Sequence, residues 1–179
     1  NRRADPGAAT LVDVARRLDE LLPDDAVVAC DAGDFSGPFA VHLRLRGDRR
    51  FLGPTSGCMG YGLPAAIGAM TAQPDRSVVA ICGDGGVMMA IQELETAVRY
   101  GLPVVVVVCN NNLHGSIARH QRARFGGRLV GTRLGSPAFA DLARAFGAKG
   151  WSVSDADGFA DAFKLALDSD VPTVIEVRM

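Results

Sequence analysis

The 179-residue sequence lacks the features that mark membrane, nucleic-acid-binding or secreted proteins. No apolar run reaches the roughly 20 residues of a membrane-spanning helix, and the N-terminus does not follow the pattern of a signal peptide. Neither sign of charge dominates, because 19 Lys and Arg residues stand against 20 Asp and Glu residues. This balance disfavours a polybasic nucleic-acid binder and a highly acidic disordered chain. We therefore expect neither a membrane nor a nucleic acid among the partners.

Cysteine pairs at the spacing of metal or redox sites are also missing. The four cysteines are Cys30, Cys58, Cys82 and Cys109, and no two of them form a CxxC pair. Three of them end short apolar runs that read as strands. This usage is typical of reduced, buried thiols and predicts a cytoplasmic protein.

The length and the 48% apolar content suit a single domain with a sizeable core. Short apolar runs alternate with helical patterns along the chain, which predicts an α/β fold. We expect a doubly wound, mainly parallel sheet with helices on both faces, in three layers. Residues 1–9 read as a linker. Because the chain opens on Asn, we expect the 179 residues to be a piece of a longer enzyme.

Periodicity and stop signals give the predicted elements. The predicted strands are 26–30, 50–52, 78–82, 104–109, 148–153 and 172–177. The predicted helices are 11–22, 39–45, 63–71, 88–100, 137–146 and 159–167, with Thr10 and Asp157 capping the first and the last. The arginine-rich stretch 116–133 is interpreted as a solvated or subunit-facing helix, or else as a site for an anionic substrate or a second domain. The arginines near Gly47 are interpreted as part of a solvated loop.

The chain is organised around a strand–helix–strand unit with a polar group after each strand. The turn Gly83-Asp84-Gly85-Gly86 follows one apolar run, and Asn111 follows the next. Parallel strands end at the same edge of a sheet and lie about 5 Å apart. Asp84 and Asn111 can therefore hold one small cation, and an incomplete set of oxygen ligands suits Mg²⁺ that also binds a phosphate.

The glycines around Asp84 let backbone approach a ligand, and the start of a helix presents free N–H groups to an anion. Together these features predict a diphosphate bridged by a metal. The alternative is a doubly wound domain with a tight turn and a capping Asp. A nicotinamide site is disfavoured because the turn lacks the third glycine of that fingerprint, and a P-loop is excluded because no Gly-Lys-Ser/Thr occurs.

Two motifs resemble those of thiamine-diphosphate enzymes. Gly83-Asp84-Gly85, followed by 24 residues and then Asn110-Asn111, is similar to the thiamine-diphosphate motif of that family. The segment 56–68, SGCMGYGLPAAIG, resembles the segment before it in the acetolactate-synthase-like branch. The resemblance runs from about Val27 to the C-terminus and implies the domain that binds the cofactor diphosphate.

The resemblance implies thiamine diphosphate and Mg²⁺ as cofactors, with Asp84, the Asn111 side chain and the Leu113 carbonyl as metal ligands. A shift of the asparagine pair to Asn111-Asn112 is the alternative register. The implied cofactor-binding set is Gly33, Ser36, Gly57, Met59, Gly83, Asp84, Gly85, Gly86, Asn111, Leu113, His114 and Gly115.

Individual roles follow from the same resemblance. The Gly57 carbonyl and the Met59 N–H contact the aminopyrimidine ring, and the Met59 side chain bends the cofactor. His114 is a candidate for substrate contact or proton transfer, although a lone His is more often structural. Asp31 and Asp34 are interpreted as turn or cap residues. Asp34 and Phe35 depart from acetolactate synthases, which commonly have Gln and His there.

The implied activity is that of a 2-oxo acid carboligase or decarboxylase, most similar to acetolactate synthase. The alternatives are another 2-oxo acid decarboxylase, a 2-hydroxyacyl lyase, or a non-catalytic cofactor-binding fragment. The family takes its activating Glu from a pyrimidine-binding domain of the same or a neighbouring chain. We therefore expect this chain alone to be inactive, its substrate to be a small 2-oxo acid, and the complete enzyme to be a homo-oligomer.

Overall fold

The structure is a computed structural model that describes residues 10–179, so the predicted linker at 1–9 lies outside the described residues. The strands are β1 (Val27–Cys30), β2 (Arg50–Leu52), β3 (Val78–Gly83), β4 (Val105–Asn110), β5 (Lys149–Val153) and β6 (Thr173–Arg178). The helices are α1 (Leu11–Leu21), α2 (Ser36–His42), α3 (Gly62–Ala72), α4 (Asp84–Val87), α5 (Glu93–Arg99), α6 (Gly115–Arg124), α7 (Phe139–Ala145) and α8 (Ala156–Leu167).

The six strands form one parallel sheet in the order β2-β1-β3-β4-β6-β5. Every residue of β3 and β4 is buried. Runs of valine and isoleucine with no polar alternation form such strands because both faces of a parallel sheet are covered by helices. The predicted doubly wound α/β fold is confirmed.

Two cores lie on opposite faces of the sheet. One packs α1, α2 and α8 against it, around Leu18, Phe39 and Phe163. The other packs α3, α5 and α7, around Leu63, Leu94 and Phe139. Side chains of β1, β3, β4 and β6 alternate between the two cores, so the molecule has the three layers that the sequence predicts. In the described part of the chain, no helix is long and apolar enough to cross a membrane.

The strand order reverses beside β1. The chain moves outward from β1 to β2 and then returns to β3 on the other side of β1. In open α/β sheets, ligands bind where the order reverses, at the carboxyl ends of the strands. The loops that follow β1, β3 and β4 meet there.

The predicted helix at 88–100 is wrong at its start. The chain forms the short helix α4 directly after β3, continues through turns at 88–92, and enters α5 at Glu93. Between the two helices, several N–H groups donate to the carbonyl three residues earlier, as Met89 does to Gly86 and Ala90 does to Val87, in place of the α-helical pattern. Val87 is buried, whereas Met88, the first residue of the predicted helix, is 46% exposed.

Other boundaries differ for local reasons. Helix α2 begins three residues before the predicted start, because Pro38 in its first turn has no N–H to satisfy. Helix α6 ends at Arg124, and the backbone at Gly126 and Gly127 then takes positive φ. The cap of α8 is Asp155, whose carboxylate accepts from the Gly158 N–H at 2.7 Å, and not the predicted Asp157.

The arginines near Gly47 do not all belong to a solvated loop. The Arg49 side chain is buried and pairs with Asp19 of α1 at 2.9 Å, and it also donates to the carbonyl oxygens of Pro23 and Leu22. Arg44 pairs with the same carboxylate at 2.7 Å. This cluster joins α1 to the segment before β2, next to the amino-terminal end of the sheet.

Candidate functional site

A cavity of about 270 Å³ opens at the carboxyl edge of the sheet. It is lined by the loops after β1, β3 and β4 and by the glycine-rich segment before α3. The predicted cofactor residues that line it are Gly33, Gly57, Met59, Gly83, Asp84, Gly85, Gly86, Asn111, Leu113, His114 and Gly115. Ser36 does not line it; its hydroxyl donates to the Gly33 carbonyl at 2.8 Å.

Asp84 is the buried acid of this cavity, with 3% of its surface exposed. Oδ1 accepts from the Gly85 N–H at 2.9 Å, and Oδ2 accepts from the Ser136 hydroxyl at 3.0 Å. Within residues 10–179, no Lys, Arg or His lies within ion-pair distance of this carboxylate. A buried carboxylate without a counter-charge favours a bound cation.

The two asparagines after β4 have different surroundings. Asn110 is buried: its Nδ2 donates to Glu176 Oε1 at 2.8 Å, and its Oδ1 accepts from the Asn112 N–H at 3.1 Å. Asn111 lines the cavity, and its Oδ1 accepts from the Leu113 N–H at 3.0 Å. Asn112, which has a φ of 55°, does not line the cavity. Asn111 and the buried Asp84 therefore belong to the same cavity.

The glycines after Asp84 are surrounded by other side chains as well as by the cavity. A Cβ atom at Gly85 would stand 2.6 Å from Cε1 and 2.7 Å from Nδ1 of His114. A Cβ atom at Gly86 would collide with the carboxylate of Asp31. Both positions thus require glycine for packing, in addition to leaving backbone exposed to a ligand.

The segment 132–136, which lies at and beyond the end of the arginine-rich stretch, packs against the loop after β4 and reaches Asp84. The Thr132 carbonyl accepts from the His114 N–H at 2.8 Å, and the Leu134 N–H donates to the Asn112 carbonyl at 2.9 Å. The hydroxyl of Ser136 then reaches Asp84. No local pattern in the sequence marks these residues, because their partners lie far away along the chain.

Asp34 lies in a turn, as interpreted, whereas Asp31 directly follows β1 and also bonds outside its own loop. The Asp31 carboxylate accepts from the N–H of Ala32 at 2.8 Å and from two N–H groups of the glycine-rich segment. Asp34 pairs with Arg119 of α6 at 2.9 Å, and its N–H donates to the Ser116 hydroxyl. These contacts leave neither carboxylate without a partner beside the cavity.

All four cysteines are free thiols, and three of them are buried. Burial raises the pKa of Cys30 to about 12. Burial also raises the pKa of Cys82 and of Cys109 well above the ordinary range. The three buried thiols are therefore neutral and inert at physiological pH, whereas Cys58 in the glycine-rich segment is exposed.

Together, the fold and this cavity define an α/β cofactor-binding domain with its site at the carboxyl edge of a parallel sheet. The family model "Thiamine pyrophosphate enzyme, C-terminal TPP binding domain" matches residues 31–177. The chain belongs to this family, which confirms the resemblance read from the two motifs.

Relatives with described activities agree with this assignment. The chain is 39% identical over 176 residues to the acetolactate synthase large subunit of Parasynechococcus marenigrum, covering 97% of this chain and 28% of the relative. It is 36% identical over 156 residues to the sulfoacetaldehyde acetyltransferase of Alcaligenes xylosoxydans xylosoxydans, covering 87% and 26%. The chain therefore spans less than a third of these relatives.

A solved structure has the same fold. The thiamine diphosphate-dependent 4-hydroxybenzoylformate decarboxylase of Rhodococcus jostii RHA1 matches with a TM-score of 0.91 and 32% identity. The match covers 100% of this chain and 34% of that one. The chain is thus a thiamine-diphosphate-binding domain with the fold of that solved enzyme.

Proposed function

We propose that this chain binds thiamine diphosphate through Mg²⁺ as part of a 2-oxo acid carboligase or decarboxylase. The observation that carries the proposal is the buried Asp84 carboxylate, which has no cationic partner in the described residues and shares a cavity with Asn111. In this proposal the Asp84 carboxylate, the Asn111 side-chain oxygen and the Leu113 carbonyl bind Mg²⁺.

An incomplete ligand set supports Mg²⁺ held jointly with a phosphate. Within residues 10–179, no group of three or more His, Cys, Asp or Glu side chains is arranged to bind a metal. Mg²⁺ prefers octahedral oxygen coordination and is usually bound by one or two carboxylates, substrate phosphates and water. The donors around Asp84 fit this pattern, because they leave coordination positions for the oxygens of a diphosphate.

The glycine turn supports the diphosphate end of the site. The Gly85 N–H donates to the Asp84 carboxylate, so it helps to orient the metal ligand. The backbone of Gly83, Gly86 and Gly115 lines the same cavity without side-chain bulk. At the other end, we assign Gly57 and Met59 to the aminopyrimidine, with the Met59 side chain, which is 37% exposed, supporting the bent cofactor.

When bound, thiamine diphosphate supplies the carbanion and the electron sink for decarboxylation of a 2-oxo acid. This chain's part is to bind and orient the cofactor. His114 is a candidate for contact with the substrate or a transferred proton, because its imidazole lies against Gly85 in the cavity. No glutamate of the described residues lines the cavity. We therefore assign the activating Glu to a pyrimidine-binding domain of the same or a neighbouring chain, in a homo-oligomer, and expect this chain alone to be inactive.

We favour acetolactate-synthase-like carboligation of a small 2-oxo acid as the reaction, on the strength of the 39% identity to such a subunit. Simple 2-oxo acid decarboxylation is the second candidate. It is favoured by Phe35, which occupies a cavity position where we expect His in acetolactate synthases, and by the structural match to a decarboxylase. The free thiols support a cytoplasmic location.

Thermal unfolding of the chain tests the binding proposal. A ligand that binds only the folded state raises the midpoint of unfolding by mass action. We expect a rise with thiamine diphosphate and Mg²⁺ together, and none with thiamine diphosphate in EDTA or with Mg²⁺ alone. An equal rise in EDTA would exclude the metal bridge. Release of carbon dioxide from pyruvate by this chain alone would contradict the assignment of the activating Glu to another domain.

A further inference from the structure

We propose that Asp31 is a positioning residue that fixes the glycine-rich segment 57–61 against the turn at 83–86. It thereby sets the separation between the pyrimidine end and the diphosphate end of the cofactor site. This inference rests on the proposed function for its ligand, but its structural part stands on contacts within the chain.

Asp31 is placed to join three elements. It directly follows β1 and has only 2% of its surface exposed. Oδ1 accepts from the N–H of Ala32 at 2.8 Å and from the N–H of Tyr61 at 3.3 Å. Oδ2 accepts from the N–H of Gly60 at 3.1 Å. One carboxylate thus holds two consecutive amides of a segment 29 and 30 residues further along the chain.

The same carboxylate lies against the diphosphate turn. A Cβ atom at Gly86 would collide with Oδ2 of Asp31 and stand 3.1 Å from its Cγ. A Cβ atom at Gly62 would stand 3.3 Å from the Cβ of Asp31. Glycine backbone therefore lies against Asp31 from both the turn and the start of α3. The turn and the glycine-rich segment also approach each other directly beside Asp31, since a Cβ atom at Gly60 would stand 3.8 Å from the Gly86 carbonyl oxygen.

Three N–H donors require an acceptor that carries no hydrogen. Within residues 10–179, Asp31 has no ion-pair partner, so backbone dipoles stabilise its charge. An amide side chain of the same size would place an NH₂ group against at least one of these N–H groups. The backbone N–H that faces the new NH₂ group would then have no acceptor, and the segment would no longer be held in its position against Asp31.

Few other backbone bonds hold the segment. The Gly57 N–H donates to the Pro54 carbonyl at 3.3 Å, and the segment has positive φ at Gly57 and Gly60. No described acceptor bonds the N–H of Cys58 or of Met59. Among the N–H groups of residues 57–61, those of Gly60 and Tyr61 are the ones that bond outside the segment's own loop, and both bond to the Asp31 carboxylate.

The test compares Asp31→Asn with Asp19→Asn in the full chain. Asp19 is a matched control, because it is also a buried aspartate bonded to a backbone N–H but lies near the opposite end of the sheet. Three quantities are measured for each: affinity for thiamine diphosphate with Mg²⁺, affinity for inorganic pyrophosphate with Mg²⁺, and amide hydrogen exchange at Gly60 and Tyr61.

For Asp31→Asn we expect thiamine diphosphate to bind about 10-fold or more weakly, which is the usual effect of removing a supporting contact. Pyrophosphate affinity should stay unchanged, because it reports only the diphosphate end. Exchange at Gly60 and Tyr61 should accelerate. For Asp19→Asn we expect lower thermal stability with all three quantities unchanged.

Several outcomes would overturn the inference. Wild-type affinity together with wild-type exchange in Asp31→Asn would exclude a positioning role, and so would equal weakening of both ligands. If the wild type binds neither ligand, the proposed function fails, and the exchange rates alone decide whether Asp31 holds the segment. If Asp31→Asn does not fold, amide hydrogen exchange in the wild type decides the question. The proposal requires slower exchange at Gly60 and Tyr61 than at Cys58 and Met59. Equal exchange rates at all four amides would contradict it.

Discussion

The imidazole of His114 occupies the space that a side chain at position 85 would need. A Cβ atom built on Gly85 stands 2.6 Å from Cε1 of His114 and 3.1 Å from Cδ1 of Leu134. The loop after β4 therefore requires glycine at the position after Asp84. The turn that carries Asp84 and the loop that carries Asn111 pack directly against each other. The relationship suggests that a small change at this glycine would disturb the loop that carries Asn111.

We predict that Gly85→Ala weakens binding of thiamine diphosphate with Mg²⁺ by about 10-fold or more. The added methyl group must displace His114, and the Asn111–Leu113 loop moves with it. Titration calorimetry measures the effect. Gly68→Ala is the matched control: Gly68 lies inside α3, and no other atom lies within 4 Å of the place that an added methyl group would take. That variant should bind normally and gain about 0.5–1 kcal/mol of stability. Normal binding by Gly85→Ala would contradict the prediction.

Glu176 should stabilise the fold through Asn110. Its carboxylate accepts from Asn110 Nδ2 at 2.8 Å and from the Ser152 hydroxyl at 3.2 Å. Glu176→Ala leaves a buried amide without its acceptor, which should cost about 1–3 kcal/mol in the free energy of unfolding. Glu176→Gln, which retains an oxygen toward Asn110, should cost clearly less.

Urea denaturation measures these differences. Glu20→Ala provides the control, since Glu20 forms only an exposed ion pair with Arg17 at 3.2 Å. Such a pair contributes about 0–1 kcal/mol. If Glu176→Ala lowers the free energy of unfolding no more than Glu20→Ala does, the hydrogen bond between Asn110 and Glu176 does not stabilise the fold.

Thiol reactivity should distinguish Cys58 from the other three cysteines. Cys30, Cys82 and Cys109 are buried with raised pKa values, whereas Cys58 is exposed beside the cavity residues Gly57 and Met59. A thiol reagent should therefore modify one cysteine per native chain and four in denaturant. Cys58→Ser should abolish the native reaction. Rapid modification of two or more thiols in the native wild type would contradict the described burial.

The folded protein should become less stable in acid, in part because the Asp19 carboxylate becomes protonated. Burial alone would raise the pKa of Asp19, but hydrogen bonds from the Arg44 backbone and side chain and the nearby arginine charges outweigh it and hold the pKa below its usual value. Because the folded pKa is the lower one, this contribution is complete above the unfolded pKa of about 4 and is lost as the pH falls through the folded value.

Asp19→Asn should therefore unfold more easily than the wild type at pH 7, by about 3 kcal/mol, and the difference should shrink below about pH 4. Chemical denaturation at several pH values measures this convergence. Asp161→Asn is the control, because Asp161 lies on the surface and pairs only with Lys164. A difference that stayed constant down to low pH would exclude the ionised Asp19 carboxylate as its cause.

The sheet and the cavity edge were predictable because their signals are local. Unbroken valine runs such as 104–108 indicate strands buried on both faces, and each is bounded by glycine, proline or a polar turn. Parallel strands then place Asp84 and Asn111 at one edge without any knowledge of long-range contacts. The remaining cofactor residues were implied by the resemblance to thiamine-diphosphate enzymes, and all of them except Ser36 line the same cavity as Asp84 and Asn111.

The remaining features depend on contacts that no local pattern encodes. Ser136 reaches Asp84 across 52 residues of sequence, and Glu176 reaches Asn110 across 66. The break of the helix after Val87 changes only which carbonyl each N–H bonds to, and the spacing of apolar residues is almost the same in both patterns. Asp155 and Asp157 are both suitable caps by residue type, so only the structure distinguishes them.

The central claim is that Asp84 binds a metal that in turn binds the diphosphate. Calorimetric titration of thiamine diphosphate into the chain, with Mg²⁺ and with EDTA, tests it most directly when wild type, Asp84→Asn and the surface control Asp161→Asn are compared. We predict Mg²⁺-dependent binding by the wild type and by Asp161→Asn, and affinity reduced by more than about 100-fold in Asp84→Asn. Two results would contradict the account. One is wild-type binding of thiamine diphosphate that persists in EDTA, and the other is binding by Asp84→Asn with the affinity of the wild type.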